Sequence, residues 1–149
     1  MTNEREVFNE FMENCFYAIL DSEKKALEPL TNGELTLKEI HLIEKVINLK
    51  KVGQNIFSKV ANKLGITLGT LTTAFSKLEK KGYLKKEQLL VDMRMYYIVP
   101  TPAAEAIYKE HLKWHEKLVD SVLAVVPEKD LKNFINAFRS LTEFFKRKE

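Results

Sequence analysis

Residues 66–81, ITLGTLTTAFSKLEKK, decide how this chain is read. Leu71, Phe75 and Leu78 recur at helical spacing, so one face of a helix packs on a core. The opposite face carries Gly69, Thr70, Thr73, Ser76 and Lys77. Small, hydroxylated and basic side chains let a helix approach a groove closely and bond phosphates or base edges. Thr67 stands where an N-cap belongs, and the amides of a helix N-terminus are themselves a phosphate site.

The flanking sequence supplies the frame for such a helix. Residues 56–64 read as a short helix with Ile56, Phe57, Val60, Ala61 and Leu64 inward, ended by Gly65. Two helices joined by about three residues with a glycine make a helix-turn-helix. Gly82 stops the second helix. Residues 83–87 and 95–99 read as strands, the latter rich in β-branched and aromatic residues, and residues 88–94 form the hairpin tip. A helix-turn-helix followed at once by a hairpin is the winged-helix arrangement, in which the wing lies along the phosphate backbone or in the minor groove.

Upstream, Thr36 and Glu39 have the spacing of a capping box. They open a helix whose buried face is Leu37, Ile40, Ile43, Val46 and Ile47, followed by a polar turn at 50–55 containing Gly53. Residues 3–25 read as one helix with an apolar stripe of Val7, Phe8, Phe11, Cys15, Ala18 and Ile19. Pro29 and Gly33 break it. Downstream, Thr101 and Pro102 give an N-cap with proline at the first helical position. A long helix over 102–126 carries Ile107, Leu112, Leu118, Val119, Val122 and Val126 as expected buried positions. Pro127 leads into a last helix over 128–146 with Leu131, Phe134, Ile135, Phe138, Leu141, Phe144 and Phe145. The terminal stripes exceed what one small winged-helix domain buries. Two-fold pairing of identical chains is the expected solution, with a larger monomeric core as the alternative. The fold is therefore expected to be mainly α with a small β-hairpin wing. Residues 36–100 form the winged helix-turn-helix; residues 1–28 and 101–149 form a helical dimerisation region.

Composition agrees. The chain has 149 residues and 45% hydrophobic content, with five Gly and four Pro, as in a helix-rich globular protein. Its net charge is +3, unevenly spread. Between residues 50 and 99, nine Lys and one Arg stand against Glu79, Glu87 and Asp92, a net of +7, so the flanks together carry −4. A basic middle between acidic flanks is the footprint of a nucleic-acid-binding segment. One cysteine, Cys15, excludes an internal disulfide and suits a reducing cytoplasm. No apolar run approaches the roughly 20 residues that cross a bilayer. The acidic, amphipathic N-terminus is unlike a signal peptide.

The order helix, helix, helix-turn-helix, wing, long helix, last helix resembles MarR-family transcription regulators. LTTAFSKLEKKGYLKK is similar to their recognition helix running into the first wing strand. Asp92-Met93-Arg94, followed by Pro100-Thr101 and Ala104, resembles their wing signature, Asp-x-Arg leading to Leu-Thr-x-x-Gly. Pro100 and Ala104 depart from the usual Leu and Gly, and the tip Gln88-Leu89-Leu90-Val91 is more apolar than is usual. Two segments, LKEIHLIEKV and ITLGTLTTAFSKLEKKGYL, resemble FabT-type repressors of bacterial fatty-acid synthesis more closely. The resemblance implies that Asp92 stabilises the wing and that Arg94 reaches DNA. For the FabT type it further implies repression of fatty-acid-synthesis genes with long-chain acyl-acyl carrier protein as co-repressor. Release by small aromatic ligands is the MarR-type alternative, and a winged helix used only for protein–protein contact is the alternative from another class.

Lys77, Lys80, Lys81, Lys85 and Lys86 are placed to supply phosphate contacts. The recognition face lacks Arg, Asn and Gln, the side chains of strong bidentate base contacts. Thr70, Thr72 and Thr73 offer thymine-methyl contacts and single donated hydrogen bonds instead, so an A·T-rich palindrome read partly through DNA shape is expected. His111 and His115 have a metal-compatible spacing, but no Glu-rich pattern adjoins them and no second Cys exists, so neither metal nor cofactor is expected. Trp114 belongs to a core or interface. Cys15 on its apolar stripe is expected to be buried. No phosphate loop, nucleophile elbow or paired-carboxylate motif appears, which argues against an enzyme.

Overall fold

The computed structural model describes residues 3–147, which fall into two compact units, one ending at His111 and one beginning at Leu112. The first unit begins with helix α1 (Glu4–Glu10), a π-helical turn (Phe11–Cys15), helix α2 (Phe16–Leu27) and a 3-10 turn (Glu28–Thr31). It continues through α3 (Leu37–Lys50), α4 (Phe57–Leu64), α5 (Leu68–Lys80), strands β1 (Leu84–Gln88) and β2 (Tyr96–Pro100), and the first half of α6 (Pro102–Val125).

The local codes act as their chemistry dictates. Thr36 Oγ1 accepts from the Glu39 amide at 3.2 Å, and a Glu39 carboxylate oxygen accepts from the Thr36 amide at 2.9 Å, so α3 begins on a complete capping box. Thr67 Oγ1 accepts from the Thr70 amide at 3.1 Å and starts α5. Gly65 ends α4 at φ +63°, a conformation that costs a residue with a Cβ. The hairpin pairs Leu84 with Pro100 through to Gln88 with Tyr96, antiparallel. Both strands have the expected length but lie one residue later in the chain, and β2 closes on Pro100, which needs no amide bond at a strand end. Asn55 clamps this hairpin: its Nδ2 donates to the Ile98 carbonyl at 2.8 Å, and its own carbonyl accepts from the Ile98 amide at 2.7 Å.

The core of this unit lies where α3, α4, α5, the hairpin and α6 meet. Ile43, Val46, Val60, Leu71, Leu78, Ile98 and Ala104 are fully buried in it. The N-terminal segment is not the single regular helix that its periodicity suggests, because the π-helical turn rephases the stripe between α1 and α2. Only Glu23 and Leu27 of α2 are buried, and no residue of α1 is. Cys15 is exposed, contrary to the expectation of burial, since it lies in the π-helical turn away from the core.

A buried charged cluster sits beside the core, and sequence gives little sign of it. Glu23 on α2 is 4% exposed and His111 on α6 is 1% exposed. His111 Nε2 lies 2.7 Å from Glu23 Oε1, and His111 Nδ1 lies 2.5 Å from Glu44 Oε2 on α3. His41 Nε2, also on α3, lies 2.6 Å from the same Glu23 oxygen. Burial pulls the His111 imidazole down, but its hydrogen bonds to Glu44 and Glu23 and their charges outweigh this and hold it above its ordinary value.

The second unit holds the rest of α6, a turn at Pro127 with a 3-10 segment (Glu128–Asp130), and α7 (Leu131–Lys146). None of its described residues is buried. Leu112, Val119, Ile135, Phe138, Leu141, Phe144 and Phe145, expected inward, are exposed on the single chain. Two successive helices cannot cover both of their own apolar stripes. Among the described residues, no helix is long and apolar enough to cross a membrane.

Candidate nucleic-acid interface

Helix α5 is seated by Leu71, Phe75 and Leu78, all buried, and Phe75 meets Phe57 of α4 edge-on with ring centroids 5.0 Å apart. This fixes the rotation of α5 about its axis. Thr67, Gly69, Thr70, Thr72, Thr73, Ser76, Lys77 and Lys80 are consequently exposed. Lys77 and Lys80 occupy the last turn, where the helix dipole favours cations.

The threonines differ from expectation in one respect. Thr72 Oγ1 donates to the Leu68 carbonyl at 2.9 Å and Thr73 Oγ1 donates to the Gly69 carbonyl at 3.1 Å. Their hydroxyl protons are thus satisfied within the helix. What they offer outward is a methyl group and an acceptor lone pair, so they suit thymine methyls better than hydrogen-bond donation. Thr67 and Thr70 share a hydroxyl–hydroxyl bond of 2.8 Å at the N-terminus.

Lys81 is also differently employed. Its Nζ donates to the Glu34 carbonyl at 2.6 Å and to both Glu39 carboxylate oxygens at 3.1 Å. It ties the end of α5 to the start of α3, so its ammonium is engaged within the fold. Burial pushes the Glu39 carboxyl up, yet the Thr36 amide and Lys81 bring it net below its ordinary value.

The wing stands beside α5. Lys85 and Lys86 of β1 are exposed, and Lys86 Nζ lies 5.1 Å above the Tyr96 ring. Arg94 has a 91% exposed side chain. Its amide donates to Asp92 Oδ1 at 3.0 Å and its Nε to the same oxygen at 3.2 Å. The Arg94 amide and side chain hold the Asp92 carboxyl below its usual range. Asp92 therefore closes the turn and aims Arg94, while Leu90 and Val91 at the tip are almost wholly exposed.

Two clefts join these parts. One, of about 330 Å³, is lined by Leu68 and Thr72 of α5, Ser58 of α4, and Lys86, Arg94 and Tyr96 of the wing. The other, of about 430 Å³, lies between α3 and α5 and is lined by Thr36, Lys38, Thr70, Thr73 and Lys77 among others. Lys38 and Ser58 are additions that sequence reasoning missed. Each begins its helix next to α5, a proximity visible only after folding. Along α5 and the wing, then, one convex polar helix face and one cationic hairpin border a common groove.

No protein-family model matches the chain. It is similar to an uncharacterized HTH-type transcriptional regulator, YhjH of Bacillus subtilis, with 29% identity over 107 residues, 70% of this chain and 59% of that protein. The chain thus spans less than two thirds of that relative's length. Among solved structures, Streptococcus pneumoniae FabT in complex with DNA superposes with a TM-score of 0.87, at 24% identity, over 98% of this chain and 100% of that one. YusO from Bacillus subtilis gives 0.66 at 15% identity over 95% and 99%, and the S. aureus MepR–DNA complex gives 0.65 at 13% identity over 96% and 98%. The chain has the winged helix-turn-helix fold of these MarR-type regulators.

Proposed function

We propose that the protein is a DNA-binding transcription regulator of MarR type that acts as a homodimeric repressor in the cytoplasm. The observation that carries this is the groove shared by Leu68 and Thr72 of α5 with Lys86 and Arg94 of the wing. A helix seated by its apolar face, with hydroxyl, methyl and basic groups outward and cations beside it, has the chemistry of a major-groove reader flanked by phosphate contacts. The FabT and MepR structures with the same fold are DNA complexes, which supports the reading. The bound site is an A·T-rich palindrome, with two recognition helices about 34 Å apart in successive major grooves. Selection from a random DNA library tests the sequence preference; a G·C-dominated site would overturn it.

Two-fold pairing follows from the apolar surface. Phe8, Phe11 and Phe16 on the N-terminal segment, and Phe138, Leu141 and Phe144 on α7, are each exposed by 40% or more. Such surface marks an interaction site. Sedimentation at micromolar concentration should give twice the chain mass; a monomer would refute the pairing.

For target and effector, the reading is repression of fatty-acid-synthesis genes with long-chain acyl-acyl carrier protein as co-repressor. A cleft of about 380 Å³ between α2 and α3, where Leu27, Leu35, Leu37 and Ile40 are bordered by Lys24, Glu28 and Lys38, is the place this reading gives to such an effector. Acyl carrier protein bearing a long acyl chain should tighten operator binding, and the unacylated form should not. Equal effects of the two would refute the co-repressor.

A further inference from the structure

We propose that Glu23, His41 and His111 form a binding site for a divalent transition-metal cation of the zinc class, with Glu44 as the outer carboxylate that orients His111. Three segments far apart in sequence converge on one atom. Glu23 Oε1 lies 2.6 Å from His41 Nε2 and 2.7 Å from His111 Nε2. The two imidazole rings lie 5.7 Å apart and 27° from parallel, both presenting Nε2 to that oxygen. The sequence argues against metal because no carboxylate pattern adjoins His111 along the chain; folding brings Glu23 from α2 and Glu44 from α3.

The chemistry of the set is specific. Two borderline imidazole nitrogens beside one carboxylate oxygen suit zinc and its neighbours, whereas calcium and magnesium take oxygen donors alone. Glu44 adds a second mark. It bonds His111 Nδ1 at 2.5 Å, which turns Nε2 toward the shared oxygen. A carboxylate on the far nitrogen of a histidine is the usual outer partner of a metal ligand, fixing its tautomer and raising its basicity.

Entry and movement are modest requirements. His41 is 45% exposed at its side chain, so the site opens to solvent on the α3 side, while Glu23 and His111 are almost wholly buried. Metal–nitrogen and metal–oxygen bonds of about 2.0–2.2 Å need donors roughly 3.3 Å apart in a tetrahedron. The two Glu23–histidine separations, 2.6 and 2.7 Å, are shorter than this by less than about 1 Å, within reach of side-chain rotation. A cation here crosslinks α2, α3 and α6, replacing hydrogen bonds that fix the same three helices.

Calorimetric titration of the metal-free full chain with zinc sulfate, without DNA, tests the site. One zinc per chain is expected. Glu44→Gln should weaken binding about 10–100-fold, and His41→Gln and Glu23→Gln should weaken it by more. His41 is half-exposed, so His41→Gln keeps the assay valid if changes at buried His111 prevent folding; circular dichroism checks each variant. Cobalt(II) added to the wild type should give visible absorption bands that His41→Gln alters. Absent zinc binding, or equal affinity in wild type, His41→Gln and Glu23→Gln, would overturn the site. Because no DNA is present, its failure leaves the DNA-binding reading standing.

Discussion

Lys77 and Lys81 lie one turn apart at the end of α5, and their surroundings give them opposite roles. Lys77 is exposed beside Thr70 and Thr73, whereas Lys81 is held by Glu34 and Glu39. Lys77→Ala should leave the denaturation midpoint unchanged and weaken DNA binding. Lys81→Ala should lower stability by about 1–3 kcal/mol, because it strips a charged, partly buried acceptor pair of its donor. Equal thermal behaviour of the two variants would contradict that division. Glu39 makes the same tie sensitive to acid. Its folded-state carboxyl titrates below its ordinary 4.5, so the unfolded chain takes up the proton first as pH falls. The stabilisation is complete above that value and is lost as pH falls through the folded-state pKa. Denaturation measured across this acid range should therefore show a loss of stability that Glu39→Gln lacks, since that variant is already deficient at neutral pH.

At the scale of elements, the helix-turn-helix is held by its seating and the wing by one clamp. Leu71→Ala should cost about 2–5 kcal/mol, as for other fully buried leucines, and would free α5 from its fixed rotation. Asn55→Ala should cost about 1–3 kcal/mol by leaving the Ile98 carbonyl without its side-chain donor, and amide exchange should accelerate first in the hairpin. These elements also show what sequence makes legible. The Thr36–Glu39 box, the Thr67 cap, the Gly65 stop and the buried triplet of α5 are local codes, each written within a few residues, and the structure follows them. The π-helical turn at residues 11–15 leaves no mark on the periodicity, and it carries Cys15 away from a core. Lys81 reads like any other lysine of a basic run because its acceptors lie more than 40 residues away. Glu23 and His111 are 88 positions apart, beyond any spacing rule.

On the scale of the whole molecule, the apolar surface and the charge distribution must serve one purpose. Aromatic rows left uncovered on the N-terminal segment and on α7 are the surface that the proposed two-fold pairing would bury, and the +7 middle segment would attract a polyanion. Replacing Phe138 by Asp should shift sedimentation toward the single chain and lower operator affinity together, since one half-site loses its neighbour. The most direct test is fluorescence anisotropy of the full chain on labelled DNA from its own promoter, across a range of salt. The logarithm of the affinity should fall linearly with the logarithm of salt. Lys77→Ala and Arg94→Ala should each flatten that line by about 0.9 for every phosphate left unneutralised. Binding that ignores salt and both substitutions would contradict the account.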